Sequence, residues 1–394
     1  MDKTILIVLD GLGDEPIPAF KNKTPLEFAK TPVMDSWAKK GKLGLLLPAY
    51  KGALPTSEEG HFSLFGYDPQ EYGLARGIVT ASGAGIDLSD GDVALRGNFG
   101  TVENGEVVDR RAGRIKDPGD LIEEIDGLEI DGVKFVVRSA KEHRVGIAMK
   151  GDGLSAKISD GDPHYGEGGS GLRKVEPLDD TEEAAFTAEV MNKFLEKTHQ
   201  ILKDHPVNKK RDLPANYILT RGASSVVDLP SFEERYDKKA ACIAGKVLYK
   251  QVGRLLGMDV LEVEGANGLP TTNLEGKFKK AREAILSSYD FVFVHVKATD
   301  SLAEDGDFWG KKEFIERVDE NLKILDEFTG RLILTADHST CSVMKSHCQR
   351  EIPLLIKGIG TDKTGHFSEG ECERGDLGKI DQRRFLARYG FGSK

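Results

Sequence analysis

Five short segments spread along the chain carry the residue types that a two-metal phosphoryl-transfer site needs. They are I-L-I-V-L-D-G with Asp10, P-T-S-E-E-G-H with Ser57 and His61, F-V-F-V-H-V-K-A-T-D with Asp300, L-I-L-T-A-D-H-S with Asp337 and His338, and K-S-H-C with His347. Asp10, Asp300 and Asp337 share one context: each sits at or just past the end of a β-branched apolar run. In a parallel α/β sheet such ends face one crevice, where ligands bind. A carboxylate there is costly unless it is paired or metal-bound. Hard oxygens and imidazoles in these numbers suit two Mn²⁺- or Zn²⁺-like ions. Two such ions, about 3.5–4 Å apart, stabilise the attacking and leaving oxygens of an in-line phosphoryl displacement.

Taken singly, each residue also has a plainer reading. Asp10 before Gly11 reads as a turn residue, and Asp337-His338 as a turn Asp beside a structural His. His347 reads as a solvated loop residue, and Asp300 as part of an acidic loop with Asp305 and Asp307. If the stretch after Asp300 is helical, Glu304 at i+4 shares its face. Ser57 precedes a short helix expected over Glu58–Phe65. It reads either as the N-cap or as a nucleophile, since a helix N-terminus favours the negative charge of an alkoxide or a phosphoryl group.

The elements that must position these residues follow from the hydrophobic pattern. Residues 3–9, 289–297, 331–335 and 352–357 read as buried strands, and 275–288 and 311–329 as helices. The second helix carries Phe314, Val318, Leu322, Leu325 and Phe328 at helical spacing. Such alternation implies a parallel sheet with helices on its faces. The middle of the chain differs. Residues 90–150 show short strand patterns such as 134–138 and 145–149, separated by turn signals such as Glu103-Asn104-Gly105. A long amphipathic helix follows from about Thr181 to Asp204, and 158–173 reads as a loop. The expected fold class is therefore α/β with a mostly parallel central sheet, plus an inserted smaller α+β domain. The expected division is 1–80 with 238–394 as a discontinuous main domain and 81–237 as the insertion.

Bulk properties narrow the function. The chain has 394 residues, 30% of them charged, a net charge of −10 and a mean hydropathy of −0.36. That is ample for a sizeable core. It argues against nonspecific nucleic-acid binding, which needs a basic face. No apolar run approaches the ~18 residues that span a bilayer, and the chain enters a strand within three residues, so no signal peptide is expected. Cys242, Cys341, Cys348 and Cys372 show no C-x-x-C spacing, and four free thiols in a reduced, cytoplasmic compartment are expected. Length and acidity fit a monomer or a small homo-oligomer equally.

The ordered set D-G, S-E-E-G-H, D-x-x-x-E, A-D-H-S and H resembles the alkaline-phosphatase superfamily. More closely, it resembles the archaeal-type cofactor-independent (2,3-bisphosphoglycerate-independent) phosphoglycerate mutases. The resemblance covers nearly the whole chain and includes L-F-G-Y-D-P (64–69), G-D-V-A-L-R-G-N-F (91–99), D-R-R-A-G-R-I (109–115), I-L-T-R-G-A (218–223) and A-C-I-A-G (241–245). It implies an alkaline-phosphatase-like sandwich. It also implies a glycolytic enzyme that interconverts 3-phosphoglycerate and 2-phosphoglycerate through a metal-bound phosphoserine at Ser57, with no membrane or nucleic-acid partner. One metal would be held by Asp10, Ser57, Asp337 and His338, and a second by Asp300, Glu304 and His347. Arg110, Arg111 and Arg114 would hold the substrate's carboxylate and phosphate, guanidinium forks suiting both. Arg221 would join them, and Lys250, with Lys246 as its rival, would contact phosphate. His61 and His164 are the proton-shuttle candidates. The implied cofactors are two divalent ions, Mn²⁺ first, with Mg²⁺, Co²⁺ or Zn²⁺ as alternatives, and no 2,3-bisphosphoglycerate.

The sequence departs from the family motif G-x-D-x-x-G-H in two ways, the first being Ala298 in place of the glycine before the Asp. Here the stretch is Ala298-Thr299-Asp300-Ser301-Leu302-Ala303-Glu304, with Glu304 where a His is expected. An added carboxylate hardens the site and favours Mn²⁺ or Mg²⁺ over Zn²⁺. The same departure keeps a second reading open: a related phosphotransferase or phosphatase on another small substrate, such as a homoserine kinase-like enzyme. A non-catalytic anion- or metal-binding relative is the third.

Overall fold

The computed structural model describes residues 3–49, 56–72, 74, 76–163, 171–225 and 229–391. It divides into two compact units, 1–68 with 230–394 and 69–229.

The first unit is built on an eight-stranded sheet. Its strands are β1 (Thr4–Leu9), β2 (Gly41–Leu47), β9 (Ala240–Ile243), β10 (Asp259–Val260), β11 (Phe291–Val296), β12 (Arg331–Thr335), β15 (Ile352–Lys357) and β16 (Gly378–Asp381), in the order β10-β9-β11-β1-β12-β15-β2-β16. From β10 to β12 all pairings are parallel. β15 runs antiparallel to both β12 and β2. The reason lies in the connection: β12 reaches β15 through a small hairpin, β13 (Ser339–Cys341) with β14 (Ser346–Cys348), not through a crossover helix. The sequence T-I-L-I-V-L is apolar on both faces because β1 is central, and every one of its residues is fully buried. Each buried Val, Leu or Ile side chain there contributes about 1.5–3 kcal/mol. Helices Leu274–Leu286 and Phe308–Leu322 fall where the 3.6-residue period places them. The second passes into a 3₁₀ turn at Lys323–Leu325 instead of running on to 329.

The second unit is antiparallel. β3 (Val93–Glu103), β4 (Glu106–Asp109), β5 (Glu129–Ile130), β6 (Val133–Lys141), β7 (Arg144–Lys150) and β8 (Tyr217–Ser225) form one sheet ordered β4-β3-β7-β6-β5, with β8 pairing β3. The Glu103-Asn104-Gly105 signal is the β3–β4 turn, with Asn104 and Gly105 both at positive φ. The long helix is Glu182–Lys203, capped by the Thr181 side chain. Its Phe194 ring stacks on Phe135 of β6 at 3.9 Å.

The expectation of four free thiols is corrected. Cys341 and Cys348 form a disulfide, with their Cα atoms 5.9 Å apart. A separation of seven residues brings them together only because a hairpin folds one strand onto the other, and no C-x-x-C pattern announces that. Cys242 and Cys372 are free and buried, and burial pushes the Cys242 thiol up to about 12. No helix among the described residues is long and apolar enough to cross a membrane.

Candidate functional site

β1, β11 and β12 lie side by side and parallel, so their C-terminal ends emerge at one edge. Asp10 follows β1 directly. Asp300 lies in the first turn of helix Ala298–Glu304, which continues from β11, and Asp337 stands two residues beyond β12. All three carboxylates are fully buried. Gly11 makes the convergence sterically feasible. Its φ of +66° is left-handed, and a Cβ there would stand 2.4 Å from Thr340 Oγ1 and 2.8 Å from the Asp300 Cβ.

Two groups of acid and imidazole atoms result. Asp10, Asp337 and His338 each bring one atom within 4.8 Å of the others, and so do Asp300, His338 and His347. His338 Nε2 is 3.2 Å from Asp337 Oδ2 and 3.4 Å from Asp10 Oδ1. His347 Nε2 is 3.5 Å from Asp300 Oδ1 and 4.0 Å from Glu304 Oε1. The two imidazoles stack with centroids 3.6 Å apart, so His338 stands within reach of both groups rather than of the first alone. Glu304 lies at the edge, half exposed, and belongs to neither tight group. Asp337 Oδ2 and His338 Nε2 are buried and have no hydrogen-bond partner among the described residues. Orphaned buried polar atoms demand an explanation. A hard or borderline cation satisfies both an oxygen and an imidazole nitrogen, so this donor set fits divalent ions.

Several neighbours of these acids carried no signal in the sequence. His295, inside the apolar run of β11, approaches Asp10 Oδ2 at 2.9 Å through Nε2 and stacks on Tyr249 at 3.5 Å. Lys297 Nζ donates to Asp10 Oδ1 at 3.3 Å and to Asp300 Oδ2. Thr340 Oγ1 donates to Asp300 Oδ1 at 2.6 Å. Burial works against charge on Asp10, yet Lys297 and the His295 hydrogen bond hold its carboxyl well below the usual range. Burial pushes His295 down to about 3, so its imidazole is neutral and its Nε2–H donates to Asp10. Glu304 moves the other way: burial and then the Asp300 charge raise its carboxyl.

The Ser57 segment comes from a separate helix, Ser57–Leu64. Its N-cap is Thr56, not Ser57. The Thr56 side chain accepts from Glu59 N, and the Glu59 carboxylate accepts from Thr56 N. Ser57 is therefore the first helical residue, with its hydroxyl spared the capping role. Helix and acids are tied together at close range. Gln382 Nε2 donates to both Gly60 O (3.2 Å) and Asp337 O (2.7 Å). A Cβ at Gly60 would meet Asp337 O at 2.8 Å. His61 Nδ1 lies 2.7 Å from Ser57 O and 3.3 Å from Asp337 Oδ2. His61 is fully buried against Tyr249, Phe293 and His295. Burial disfavours its charged form, but Asp337, Asp10 and the Ser57 carbonyl together outweigh this and raise its pKa. Lys250 is not brought to the acids; its Nζ pairs with Glu262. His164 lies outside the described residues.

The second unit gathers cations. Arg110 makes a bidentate pair with Asp162, at 2.8 and 2.6 Å. Arg221 on β8 lies directly across from Arg96 on β3, and Arg144 on β7 directly across from Asn98. Arg111 and Arg114 follow β4. Arg144 is pushed below its ordinary pKa by burial and by Arg76, Arg111 and Arg114. His143 is pushed down to about 4 by burial, Arg144, Arg111 and Arg96. So many like charges in one neighbourhood suit anionic ligands. Arg96 and Arg144 were missed because their proximity depends on strand register, which spacing along the chain does not reveal.

Comparison with known proteins agrees with this architecture. The metalloenzyme superfamily signature matches residues 2–387. The 2,3-bisphosphoglycerate-independent phosphoglycerate mutase 1 of Methanocaldococcus jannaschii is 45% identical over 388 residues, covering 95% of this chain and 93% of its own. The enzyme of the same name from Archaeoglobus fulgidus is 43% identical over 392 residues, covering 95% and 94%. Among solved structures, the cofactor-independent phosphoglycerate mutase of Thermoplasma acidophilum superposes with a TM-score of 0.73 at 36% identity, covering 98% of each chain. The chain therefore belongs to the metalloenzyme superfamily and, within it, to the archaeal-type 2,3-bisphosphoglycerate-independent phosphoglycerate mutases.

Proposed function

We propose that Ser57 carries the phosphoryl group in this phosphoglycerate mutase as it interconverts 3-phosphoglycerate and 2-phosphoglycerate. The observation that carries the reading is local. Thr56 takes the cap, and Gln382, donating to both Gly60 O and Asp337 O, fastens the first turn of the Ser57 helix beside Asp337. The Ser57 Oγ–P bond forms as the P–O3 bond of the substrate breaks, and the serine proton ends on the glycerate 3-oxygen. Glycerate then turns, its 2-oxygen takes the phosphoryl group as the Ser57 Oγ–P bond breaks, and the 2-hydroxyl proton passes to Ser57. The helix N-terminus favours the negative charge of the transferring group. Asp10, Ser57, Asp337 and His338 would hold one divalent ion, and Asp300, Glu304 and His347 a second, with Mn²⁺ the first choice for so oxygen-rich a set. When bound, such ions supply charge stabilisation to the phosphoryl oxygens and activate a serine hydroxyl. His61, buried and fastened to Ser57 O, is a positioning residue in this scheme. The first unit serves as the metal-binding domain. The second supplies the substrate-holding guanidinia: Arg110 fixed by Asp162, with Arg111, Arg114 and Arg221.

The test is phosphorus NMR of Mn²⁺-loaded protein with 3-phosphoglycerate. 2-Phosphoglycerate should appear, and Ser57→Ala should abolish both turnover and the phosphoserine signal. Free phosphate alone would indicate a phosphatase. A Ser57→Ala variant with full mutase activity would refute the scheme.

A further inference from the structure

Lys297 lies between the two acid groups. Its ammonium donates to Asp10 Oδ1, a member of one group, at 3.3 Å, and to Asp300 Oδ2, a member of the other. The backbone explains the placement. Lys297 is the N-cap residue of the Ala298–Glu304 helix, and Asp300 lies one turn on, with its N–H bonded to Lys297 O at 3.1 Å. The Tyr249 ring flanks the ammonium, its centroid 5.9 Å from Nζ. Both carboxylates are fully buried, whereas the lysine side chain is 11% exposed. An ammonium has three N–H donors, and two are engaged with these carboxylates. A third N–H direction remains beyond these two carboxylates.

The charge balance says what that direction is for. Asp10, Asp300 and Asp337 bring three buried negative charges to the neighbourhood and Glu304, at its half-exposed edge, a fourth, so two divalent ions leave no surplus to attract a phosphoryl dianion. Glu304 is the member that removes the surplus, because an imidazole in its place would be neutral. Lys297 is the only Lys or Arg that the described ion pairs place on these carboxylates.

We propose that Lys297 is a phosphoryl-binding catalytic residue. It bridges Asp10 and Asp300 through two donors and contacts an oxygen of the transferring group through the third. This deepens, and rests on, the assignment of Ser57 as the phosphoryl carrier. Losing a charge-assisted hydrogen bond weakens binding on the order of 10- to 100-fold. The experiment compares wild type, Lys297→Met and Lys297→Arg by titration calorimetry, first with Mn²⁺ alone, then with inorganic phosphate on the Mn²⁺-loaded protein. Lys297→Met should bind phosphate 10- to 100-fold more weakly while binding Mn²⁺ as tightly as wild type or more tightly, because a positive charge has left the neighbourhood. Lys297→Arg should recover most of the phosphate affinity. A merely structural bridge predicts the opposite: Mn²⁺ and phosphate affinities falling together, without rescue by Arg. That result overturns the proposal, as does unchanged phosphate affinity in Lys297→Met. A wild-type protein that binds Mn²⁺ and phosphate but forms no phosphoserine with 3-phosphoglycerate would instead overturn the Ser57 assignment.

Discussion

Replacing Lys311 by Met tests how the loop after Asp10 is held against the hairpin that carries His347. Lys311 and Asp14 are both buried, 0% and 1% exposed, and their charged atoms are 3.0 Å apart. Lys311 Nζ also donates to Gly13 O (3.3 Å) and Thr340 O (2.9 Å). Removing one partner of a buried pair costs about 3–5 kcal/mol, because the other charge is left behind. The two halves of the pair are not equivalent. Without Lys311, Asp14 still accepts from Glu15 N (2.8 Å), Ser342 N (3.0 Å) and Ser342 Oγ (2.6 Å). Lys311→Met should therefore fall near the lower limit, about 3 kcal/mol. Without Asp14, the ammonium keeps two carbonyl oxygens but loses its directly bonded carboxylate, so Asp14→Ala should fall near the upper limit, about 5 kcal/mol. The double variant should lose clearly less than the sum, since the two changes remove one interaction. Denaturant unfolding followed by tryptophan fluorescence is the assay. Both tryptophans, Trp37 and Trp309, lie in the first unit, so the signal reports that unit alone. A Lys311→Met loss below about 1 kcal/mol, or an Asp14→Ala variant milder than Lys311→Met, would refute the reasoning.

Three more outcomes are expected. His143 should titrate near pH 4 by NMR, and phosphoglycerate should raise that value by neutralising Arg144 and Arg111; no change on saturation would remove the anion site from this neighbourhood. Because the folded state holds this imidazole below its ordinary 6.5, the unfolded chain binds more protons between pH 4 and 6.5. His143 therefore contributes stability that is present above pH 6.5 and lost as pH falls towards 4. The double variant Cys341→Ser, Cys348→Ser opens an eight-residue loop and should lower stability by about 2.5 kcal/mol on the loop-entropy model; denaturation midpoints equal to those of the oxidised wild type would contradict it. Gly11→Ala should weaken Mn²⁺ binding more than it weakens the fold. The added methyl collides with Thr340 and Asp300 themselves, and calorimetry showing wild-type Mn²⁺ affinity would show that the close approach is dispensable.

The acids were legible because they interrupt the pattern. Asp10, Asp300 and Asp337 each end an apolar run, and a charge in that place has few physical uses. The helix at Phe308–Leu322 and the strands around the acids followed from the hydrophobic pattern, whereas the turn of helix at Asp300 was only a conditional reading. His295 and Lys297 were hidden for the converse reason: inside or just after a buried strand they read as padding, and only the pairing of β1 with β11 turns them towards Asp10. Ser57 reads as a possible N-cap, but Thr56 takes that role one residue earlier, through its capping box with Glu59. The antiparallel turn of β15 and the Cys341–Cys348 bridge both depend on the β13–β14 hairpin, whose two strands of three residues each leave almost no periodicity to read.

The central position of β1 also has a consequence for synthesis. Its two neighbours come from far downstream: Thr4 pairs with Phe291 on one side and Arg331 on the other. At about 5–20 residues per second on the ribosome, the wait for β11 alone is roughly 15–60 s. Throughout that time a six-residue apolar strand with two unpaired edges is without either of the strands that will cover them. Such a segment invites pairing with the wrong chain. The arrangement that places Asp10 between its partners thus makes the nascent protein depend on whatever shelters that strand until the last third of the chain arrives.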